Sequence, residues 1–252
     1  MSRSTDTLNP QQLYAVEHIE GPLLILAGAG SGKTRVITHR IAYMLGQGVP
    51  QSAILAVTFT NKAAQEMAAR VRELCAQRLK SLTVSTFHAF GARLLREHGH
   101  RLDYRRNISI YDQTDKQSLI KEIARDQGLL RRGDDGFDAY RAAAFFSKLK
   151  SRTGDWQEET EHLRPLFEEY QYRLKLFNAV DFDDLIRLPI RLIENDPEVR
   201  TALQQRFRYF MVDEFQDTSF QQYRMIALLA GKSGNLCVVG DDDQSIYSWR
   251  GA

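Results

Sequence analysis

The amino-acid sequence predicts an open α/β domain with a parallel sheet, into which an all-helical subdomain is inserted. Three observations support this fold class. Short apolar β-type segments alternate with helical patterns near both ends of the chain, only helical patterns occur in the middle, and a glycine-rich loop follows the first predicted strand. Strands and helices that alternate at this spacing are typical of a parallel sheet covered by helices. The 252 residues are sufficient for between one and two domains.

Five segments are predicted to be buried parallel strands, because each is short, apolar and rich in β-forming residues. They cover residues 23–27, 54–59, 82–85, 209–212 and 236–239. Between them, apolar residues recur at the spacing of an amphipathic helix. These helical patterns include Val36, Ile37 and Ile41, then Ala63, Met67 and Val71, and then Met225, Ile226 and Leu229.

The middle of the chain, from about residue 90 to residue 205, has helical patterns and no β-type segment. One helix is predicted to begin at a capping box that starts with Thr114 and to end at Gly128. Two further helices are predicted to follow Thr160 and Asp181.

These patterns predict a discontinuous α/β domain that consists of residues 1–90 and 205–252. Residues 91–204 form the helical insertion in this prediction. The glycine-bounded segment 128–136 is the best candidate for a mobile loop.

The composition is that of an ordinary folded protein, with 43% hydrophobic and 26% charged residues. No apolar run approaches the roughly 18 residues that span a bilayer, and the first residues lack a signal-peptide pattern. Only two cysteines occur, without a CxxC pattern, which disfavours a disulfide framework or a zinc site. We therefore expect a cytoplasmic protein with no membrane partner.

The net charge of +2 neither requires nor excludes a nucleic-acid partner. However, the charge is unevenly distributed, with five arginines between residues 93 and 106 and an acidic segment at 155–169. The arginine segment is either a solvated helix face or a phosphate-binding stripe.

Residues 27–34 (AGAGSGKT) lie between the first predicted strand and a helix, which is the context of a phosphate-binding P-loop. Backbone N–H groups of the loop would wrap the phosphates at the helix N-terminus. The loop residues are Gly28, Ala29, Gly30, Ser31 and Gly32. Lys33 supplies a positive charge to the phosphates, and Thr34 supplies a hydroxyl to Mg²⁺. Ala27 replaces the first glycine of the usual pattern.

A second candidate group follows the predicted strand 209–212, which ends at Asp213 and Glu214. Next to a P-loop, Asp213 is expected to bind Mg²⁺ and Glu214 to orient and deprotonate the attacking water. An acidic pair at a strand end could also be a solvated turn or a helix cap. GTP is disfavoured, because Asn61 and Lys62 begin an NKxD pattern whose aspartate is replaced by Ala64.

The chain resembles the N-terminal part of the UvrD/Rep/PcrA family of superfamily 1A DNA helicases, and the similar segments extend from residue 8 to the last residue. They are residues 8–12 (LNPQQ), 27–35, 58–64 (TFTNKAA), 85–88 (STFH), 181–185 (DFDDL), 212–218 (VDEFQDT) and 240–252 (GDDDQSIYSWRGA). The resemblance implies a RecA-like P-loop NTPase domain, called 1A, with a helical subdomain 1B set into it.

The resemblance also implies roles for residues around the nucleotide. Gln12 would read the adenine edge, Arg35 would stack on the adenine, and Gln244 would sense the γ-phosphate. The residues implied to contact DNA are Phe59, Asn61, His88, Phe182, Tyr247, Trp249 and Arg250. Stacking on aromatic side chains and contacts to phosphates do not read the base sequence. Without the resemblance, Phe59 and His88 would be interpreted as strand-end packing residues and Trp249 as a core residue.

The activity implied by the resemblance is ATP- and Mg²⁺-dependent translocation on single-stranded DNA, with 3′ to 5′ unwinding of duplex in replication or repair. The implied partners are single-stranded DNA, single-strand/duplex junctions and a second RecA-like domain. The family's motifs IV to VI are absent from these 252 residues. We therefore expect weak binding of ATP·Mg, very slow hydrolysis and no unwinding by this fragment.

The sequence leaves two alternatives to a helicase motor. One is the motor part of a helicase-nuclease subunit, which shares these motifs. The other is a single-strand binding module whose ATPase has decayed. The intact Lys33, Thr34, Asp213, Glu214 and Gln244 argue against decay.

Overall fold

The computed structural model describes residues 8–75, 78–129, 137–232 and 234–244. The chain forms two compact units. The first unit consists of Met1–Phe90 and Ile193–Ala252, and the second unit of Gly91–Leu192. No helix in the described part of the chain is long and apolar enough to cross a membrane.

The described residues form seven strands and ten α-helices. The strands are β1 (Leu23–Leu26), β2 (Ile54–Thr58), β3 (Thr83–Thr86), β4 (Ser109–Tyr111), β5 (Ala179–Asp181), β6 (Tyr209–Val212) and β7 (Leu236–Gly240). The helices are α1 (Pro10–Glu17), α2 (Lys33–Gly46), α3 (Asn61–Leu74), α4 (Phe87–His98), α5 (Gln113–Asp126), α6 (Ala139–Ser151), α7 (Arg164–Leu176), α8 (Asp184–Asn195), α9 (Pro197–Arg206) and α10 (Phe220–Ala230).

The first unit is built on a five-stranded parallel sheet in the order β1-β7-β6-β2-β3. All five predicted strands are confirmed, each within one residue of its expected bounds. Because the strands are parallel, the loops that follow them meet at one edge of the sheet. β7 lies between β1 and β6, so the residues after β7 lie between those that follow β1 and those that follow β6.

One hydrophobic cluster of the first unit lies between the sheet and helices α2 and α3. Ile37, Ile41 and Met67 from these helices pack against Met211 and Cys237 of the sheet. Strand β2 is buried along its whole length, as expected for a central strand of a parallel sheet. The packed sheet therefore fixes the positions from which the loops at its carboxyl edge begin.

The second unit contains helices α5 to α7 around a core that includes Ile120, Phe146 and Leu166. The prediction of an all-helical insertion was wrong in one respect, because β4 and β5 form a two-stranded parallel sheet. Each of these strands has three residues, which is too short to produce a visible alternation in the sequence.

The first helix of the second unit and the end of this unit differ from their predicted positions. Helix α5 begins at an N-cap formed by Asp112, and not at Thr114, because the Asp112 carboxylate accepts hydrogen bonds from two first-turn N–H groups. The second unit ends at Leu192, whereas the predicted insertion extends to residue 204. The difference arises because α9 packs against α10 of the first unit. Most of the candidate mobile loop, residues 130–136, lies outside the described residues.

Candidate active site

The glycine-rich loop connects β1 to α2 at the carboxyl edge of the sheet. Gly30 and Gly32 adopt left-handed backbone conformations, with φ of +73° and +86°, which glycine accommodates without strain. The Ser31 hydroxyl donates to the Gly28 carbonyl (2.6 Å), which closes the loop on itself. Helix α2 has no side-chain cap, so its first backbone N–H groups and its positive dipole end are available to an anion.

Helix α1 lies against this loop through Gln12. The Gln12 side-chain NH₂ donates to the Ser31 carbonyl (2.9 Å), and Gln12 also forms a reciprocal capping box with Asn9. The buried Arg40 holds the end of α1 by donating to the Ala15 carbonyl at 2.7 Å. The structure thus places Gln12 beside the loop, and its contact with adenine remains a prediction.

Thr34 and Asp213 meet at the carboxyl edge of the sheet. The Thr34 hydroxyl donates to Asp213 Oδ2 (3.1 Å), and the Glu214 backbone N–H donates to Asp213 Oδ1 (3.1 Å). Asp213 is only 3% exposed. Burial, followed by the neighbouring charge of Glu214, raises the pKa of Asp213 to about 6. The carboxylate is therefore under-compensated, although Lys33 acts in the opposite direction.

This pair fits a magnesium ion. A hydroxyl and a carboxylate are hard oxygen ligands, and Mg²⁺ usually takes one or two protein ligands together with phosphates and waters. Asp213 is buried and hydrogen bonded to a hydroxyl and a backbone N–H, neither of which is charged, so a cation at this position would offset its negative charge. Among the described residues there is no cluster of three or more His, Cys, Asp or Glu side chains that could hold a metal by itself.

Glu214 is held by a residue to which the sequence analysis assigned no role. The Gln216 side-chain NH₂ donates to Glu214 Oε2 (2.8 Å), and its carbonyl accepts from the Asp241 backbone N–H (3.1 Å). Glu214 has a left-handed backbone, with φ of +53°, which is uncommon for a residue other than glycine. A Cβ at Gly240 would lie 3.0 Å from Gln216 Oε1, so glycine leaves room for this bridge.

Asp241 is the second residue to which the sequence analysis gave no role. Lys33 Nζ lies 3.4 Å from Asp241 Oδ2, and both side chains are 9% exposed. The same oxygen accepts a hydrogen bond from the Gln244 amide. Burial opposes ionisation of Asp241, but the hydrogen bonds from Gln244 and from the Asp243 backbone, together with Lys33, hold its pKa below the ordinary value. One carboxylate therefore binds both of the side chains predicted to meet the γ-phosphate.

The residues predicted to contact DNA are placed in part. Phe59 follows β2 and is partly buried, and Asn61 is the exposed first residue of α3. The Thr86 hydroxyl at the end of β3 donates to Asn61 Oδ1 (3.3 Å), which joins the two strand ends. His88 lies in the first turn of α4 and is partly buried.

Phe182 and Arg35 are two further predicted site residues that the structure describes. Phe182 belongs to the second unit, where it is 53% exposed. Tyr247, Trp249 and Arg250 lie outside the described residues. Arg35 is in the first turn of α2, where its carbonyl accepts from the Thr38 hydroxyl (2.9 Å). Its stacking on adenine remains a prediction.

A glycine-rich loop at a helix N-terminus, a lysine at its end and a hydroxyl–carboxylate pair at the carboxyl edge of a parallel sheet are together typical of the P-loop class of nucleotide-binding proteins. The family model described as the UvrD/REP helicase N-terminal domain matches residues 8–252. The chain therefore belongs to the UvrD/REP helicase family, which confirms the resemblance seen in the sequence motifs.

The chain is also similar to curated proteins named ATP-dependent DNA helicase PcrA. The proteins of this name from Staphylococcus aureus and Staphylococcus epidermidis are each 44% identical to it over 261 aligned residues. These alignments cover all of this chain and 35% of each relative. The chain thus spans about a third of the length of the curated relatives that it matches.

Proposed function

We propose that this chain is the ATP-binding motor part of an ATP-dependent 3′ to 5′ DNA helicase that moves along single-stranded DNA and unwinds duplex in replication or repair. The observation that supports it most directly is the under-compensated Asp213, hydrogen bonded to Thr34 beside an uncapped glycine-rich loop. Such a site has the charge distribution that a magnesium nucleotide requires. Family membership and the names of the relatives support DNA as the second substrate.

In this proposal the phosphates of ATP lie on the N-terminus of α2, with Lys33 as their point charge. Thr34 and Asp213 hold Mg²⁺, which when bound offsets the negative charge of the phosphates. Glu214 orients the attacking water and accepts its proton, and Gln216 keeps the Glu214 carboxylate in place. Gln12 contacts the adenine edge and Arg35 stacks on the ring.

Nucleotide binding would change the contacts of Asp241. In the structure, this carboxylate holds Lys33 and Gln244 together. A γ-phosphate offers both side chains a more highly charged acceptor, so both exchange partners when ATP binds and lose the phosphate after hydrolysis. The contacts of Gln244, which lies in the segment after β7, therefore change with the state of the nucleotide.

DNA contacts are proposed for the ends of the neighbouring strands β2 and β3. Phe59 and His88 offer flat rings to bases, and Asn61 offers an amide to the backbone. We assign the same role to Phe182, Tyr247, Trp249 and Arg250. The partners are single-stranded DNA and single-strand/duplex junctions. A second RecA-like domain is proposed in the remaining length of a protein comparable to the relatives, which are about three times as long as this chain.

A binding experiment tests the nucleotide site. Lys33→Ala is expected to weaken the affinity of the chain for a fluorescent ATP analogue in the presence of Mg²⁺ by about 10- to 100-fold, because a hydrogen bond to a charged group is lost. The control is Lys232→Ala, which removes an exposed lysine of the same unit. Equal affinities for the Lys33→Ala variant and the unmodified chain would overturn the proposal.

A second arm tests the DNA substrate. Fluorescence anisotropy with a labelled oligothymidylate is expected to show binding by the unmodified chain, with a Kd that changes when the ATP analogue and Mg²⁺ are added. The change in Kd should be absent in the Lys33→Ala variant. DNA binding that is insensitive to nucleotide in both proteins would instead favour a single-strand binding module.

A further inference from the structure

The second unit contains a buried ionic cluster that the proposed nucleotide chemistry does not use. It surrounds the turn between β5 and α8, residues 181–184, which we call the acidic turn. Asp181 and Asp184 in this turn are buried, as are Lys116 of α5 and Lys150 of α6. Lysine and aspartate are rarely buried unless they are paired, so the arrangement of the pairs determines what the cluster does.

Lys150 forms the inner part of the cluster. Its ammonium group donates to Asp181 Oδ2 (2.7 Å) and to Asp184 Oδ2 (2.8 Å). The Tyr170 hydroxyl donates to the same Asp181 oxygen (2.9 Å). Both ends of the acidic turn are therefore tied to one ammonium group of a neighbouring helix.

Lys116 and Ser147 form the second part of the cluster, and Lys116 Nζ also lies 3.4 Å from Asp181 Oδ2. The Lys116 ammonium donates to Asp183 Oδ2 (2.9 Å) and to the Ser147 hydroxyl (2.8 Å). The Ser147 hydroxyl in turn donates to Asp183 Oδ2 (2.7 Å). Asp183 is thus held by two side chains from two different helices.

The charges of the cluster balance. Three carboxylates face Lys116, Lys150 and Arg187, whose guanidinium lies 2.9 Å from Asp184 Oδ1. Burial opposes ionisation of Asp181, but Lys150 and Lys116 overcome it and lower the pKa of this carboxyl. Burial has the larger effect on Asp184 and raises the pKa of that carboxyl, although Lys150 and Arg187 act in the opposite direction. Each carboxylate of the cluster is ion-paired with a side chain of the same unit, whereas Asp213 is hydrogen bonded to a hydroxyl and a backbone N–H.

The backbone of the acidic turn is fixed as well. The Asp184 N–H donates to Asp181 Oδ1 (3.0 Å), as at a helix N-cap. Phe182 lies between these two buried aspartates and is itself 53% exposed. The inward aspartates and the outward ring are consequences of the same turn conformation.

We propose that Lys116, Ser147 and Lys150 are positioning residues for DNA binding, because they fix the acidic turn so that it presents the Phe182 ring to a base. The inference rests on the proposed function, in which Phe182 contacts single-stranded DNA. A ring that is ordered before binding loses less conformational entropy when a base stacks on it, and this gain appears as affinity. The lysines act through the aspartates and do not themselves contact DNA.

A double-mutant cycle for DNA affinity tests the proposal on the intact chain. Phe182→Ala is expected to raise the Kd for a labelled oligothymidylate by about 5- to 150-fold, the range for loss of one stacked base. Ser147→Ala should raise the Kd several-fold, and Ser147→Thr, which keeps the hydroxyl, should restore it. The double variant should bind no more weakly than Phe182→Ala alone, because the serine acts only through the ring.

A matched control comes from the same helix. The Ser151 hydroxyl bonds the Ser147 and Lys148 carbonyls, so Ser151→Ala changes a comparable hydroxyl away from the aspartates and should leave the Kd unchanged. Lys116→Gln is a second variant, in case the Lys116–Asp183 pair alone holds the turn when the serine hydroxyl is absent. Urea unfolding of each variant separates loss of fold from loss of affinity.

The outcomes distinguish this proposal from the proposed function. If the unmodified chain fails to bind oligothymidylate, the proposed function fails. If it binds and Phe182→Ala weakens binding while Ser147→Ala and Lys116→Gln do not, the positioning role is overturned. Additive effects of Ser147→Ala and Phe182→Ala also overturn it, as does a Phe182→Ala variant that binds DNA normally.

Discussion

Asp213 of the first unit and Asp181 of the second are both buried carboxylates, but their hydrogen-bond partners differ in charge. Asp213 in the first unit and Asp181 in the second are 3% and 1% exposed. Asp213 is hydrogen bonded by a hydroxyl and a backbone N–H, and its pKa is raised. Asp181 receives an ammonium group and a phenol, and its pKa is lowered. Similar burial therefore produces an under-compensated charge in one place and a compensated charge in the other.

This difference in charge compensation distinguishes a carboxylate that favours a ligand from one that stabilises the fold. A carboxylate whose charge is incompletely compensated gains free energy when a cation arrives, so it favours a ligand at some cost in stability to the empty protein. A carboxylate that is paired internally stabilises one conformation of its own chain and gains nothing from a ligand. The two kinds of carboxylate should therefore respond differently to substitution, in stability and in activity.

The largest effect is expected at Lys150. Lys150→Met should lower the free energy of unfolding by about 3–5 kcal/mol, because it leaves Asp181 and Asp184 buried without their shared cation. Urea denaturation measures the change. Lys148→Met removes an exposed lysine of the same helix and should change stability by less than about 0.5 kcal/mol. Equal effects of the two variants would show that the cluster does not stabilise the second unit.

A smaller loss of stability is expected when Tyr170 of the same cluster is substituted. Tyr170→Phe should lower the free energy of unfolding by about 1.5–3 kcal/mol, because Asp181 loses a hydrogen bond to its charged group. Tyr172→Phe on the same helix is the control, since the Tyr172 side chain is 61% exposed. A Tyr170→Phe variant as stable as the control would indicate that the lysines alone satisfy Asp181.

A substitution at Asp213 is expected to raise the free energy of unfolding instead of lowering it. Asp213→Asn should raise the free energy of unfolding of the nucleotide-free chain by about 1–2 kcal/mol at pH 8. The substitution removes a carboxyl group that is costly to ionise because it is buried. The same variant should lose the additional stability that the unmodified chain gains from ATP and Mg²⁺. Urea denaturation with and without the magnesium nucleotide measures both changes.

The pH dependence of stability tests why Asp213→Asn should stabilise the chain. The folded-state pKa of Asp213 is about 6, above its ordinary value of 3.8, so ionisation destabilises the folded chain. This cost is fully present above about pH 7, decreases as the pH falls through 6, and disappears below the unfolded pKa. The stability difference between Asp213→Asn and the unmodified chain should therefore shrink between pH 8 and pH 5. A difference that is constant across this range would assign the gain to packing.

The strands and the loop of the first unit could be predicted from the sequence, because local patterns determine them. Each strand there is a short apolar segment. The consecutive residues Gly32, Lys33 and Thr34 predict a phosphate-binding loop without any knowledge of the tertiary contacts. Strands β4 and β5 could not be predicted, since three residues show no periodicity.

Asp241, Lys116 and Lys150, to which the sequence assigned no role, depend on distant partners. Asp241 is the first of three consecutive aspartates, and only the folded chain shows that its carboxylate receives Lys33. Lys116 and Lys150 occupy helical positions where lysine is normally exposed. Their burial is determined by aspartates 67 and 31 residues further along the chain. Long-range charge pairing leaves no local signal in the sequence.

The smallest effect is expected at Gln216, which connects Glu214 to the segment after β7. Gln216→Ala should slow ATP hydrolysis about fivefold, the equivalent of one hydrogen bond of about 1 kcal/mol, while nucleotide affinity and stability remain nearly unchanged. Gln222→Ala is a control with the opposite profile, because Gln222 belongs to the capping box of α10. It should lower stability and leave hydrolysis unchanged. A Gln216→Ala variant that loses stability and keeps its rate of hydrolysis would show that the contact with Glu214 only stabilises the fold. Asp213 would then be the one carboxylate shown to favour a ligand over an internal partner.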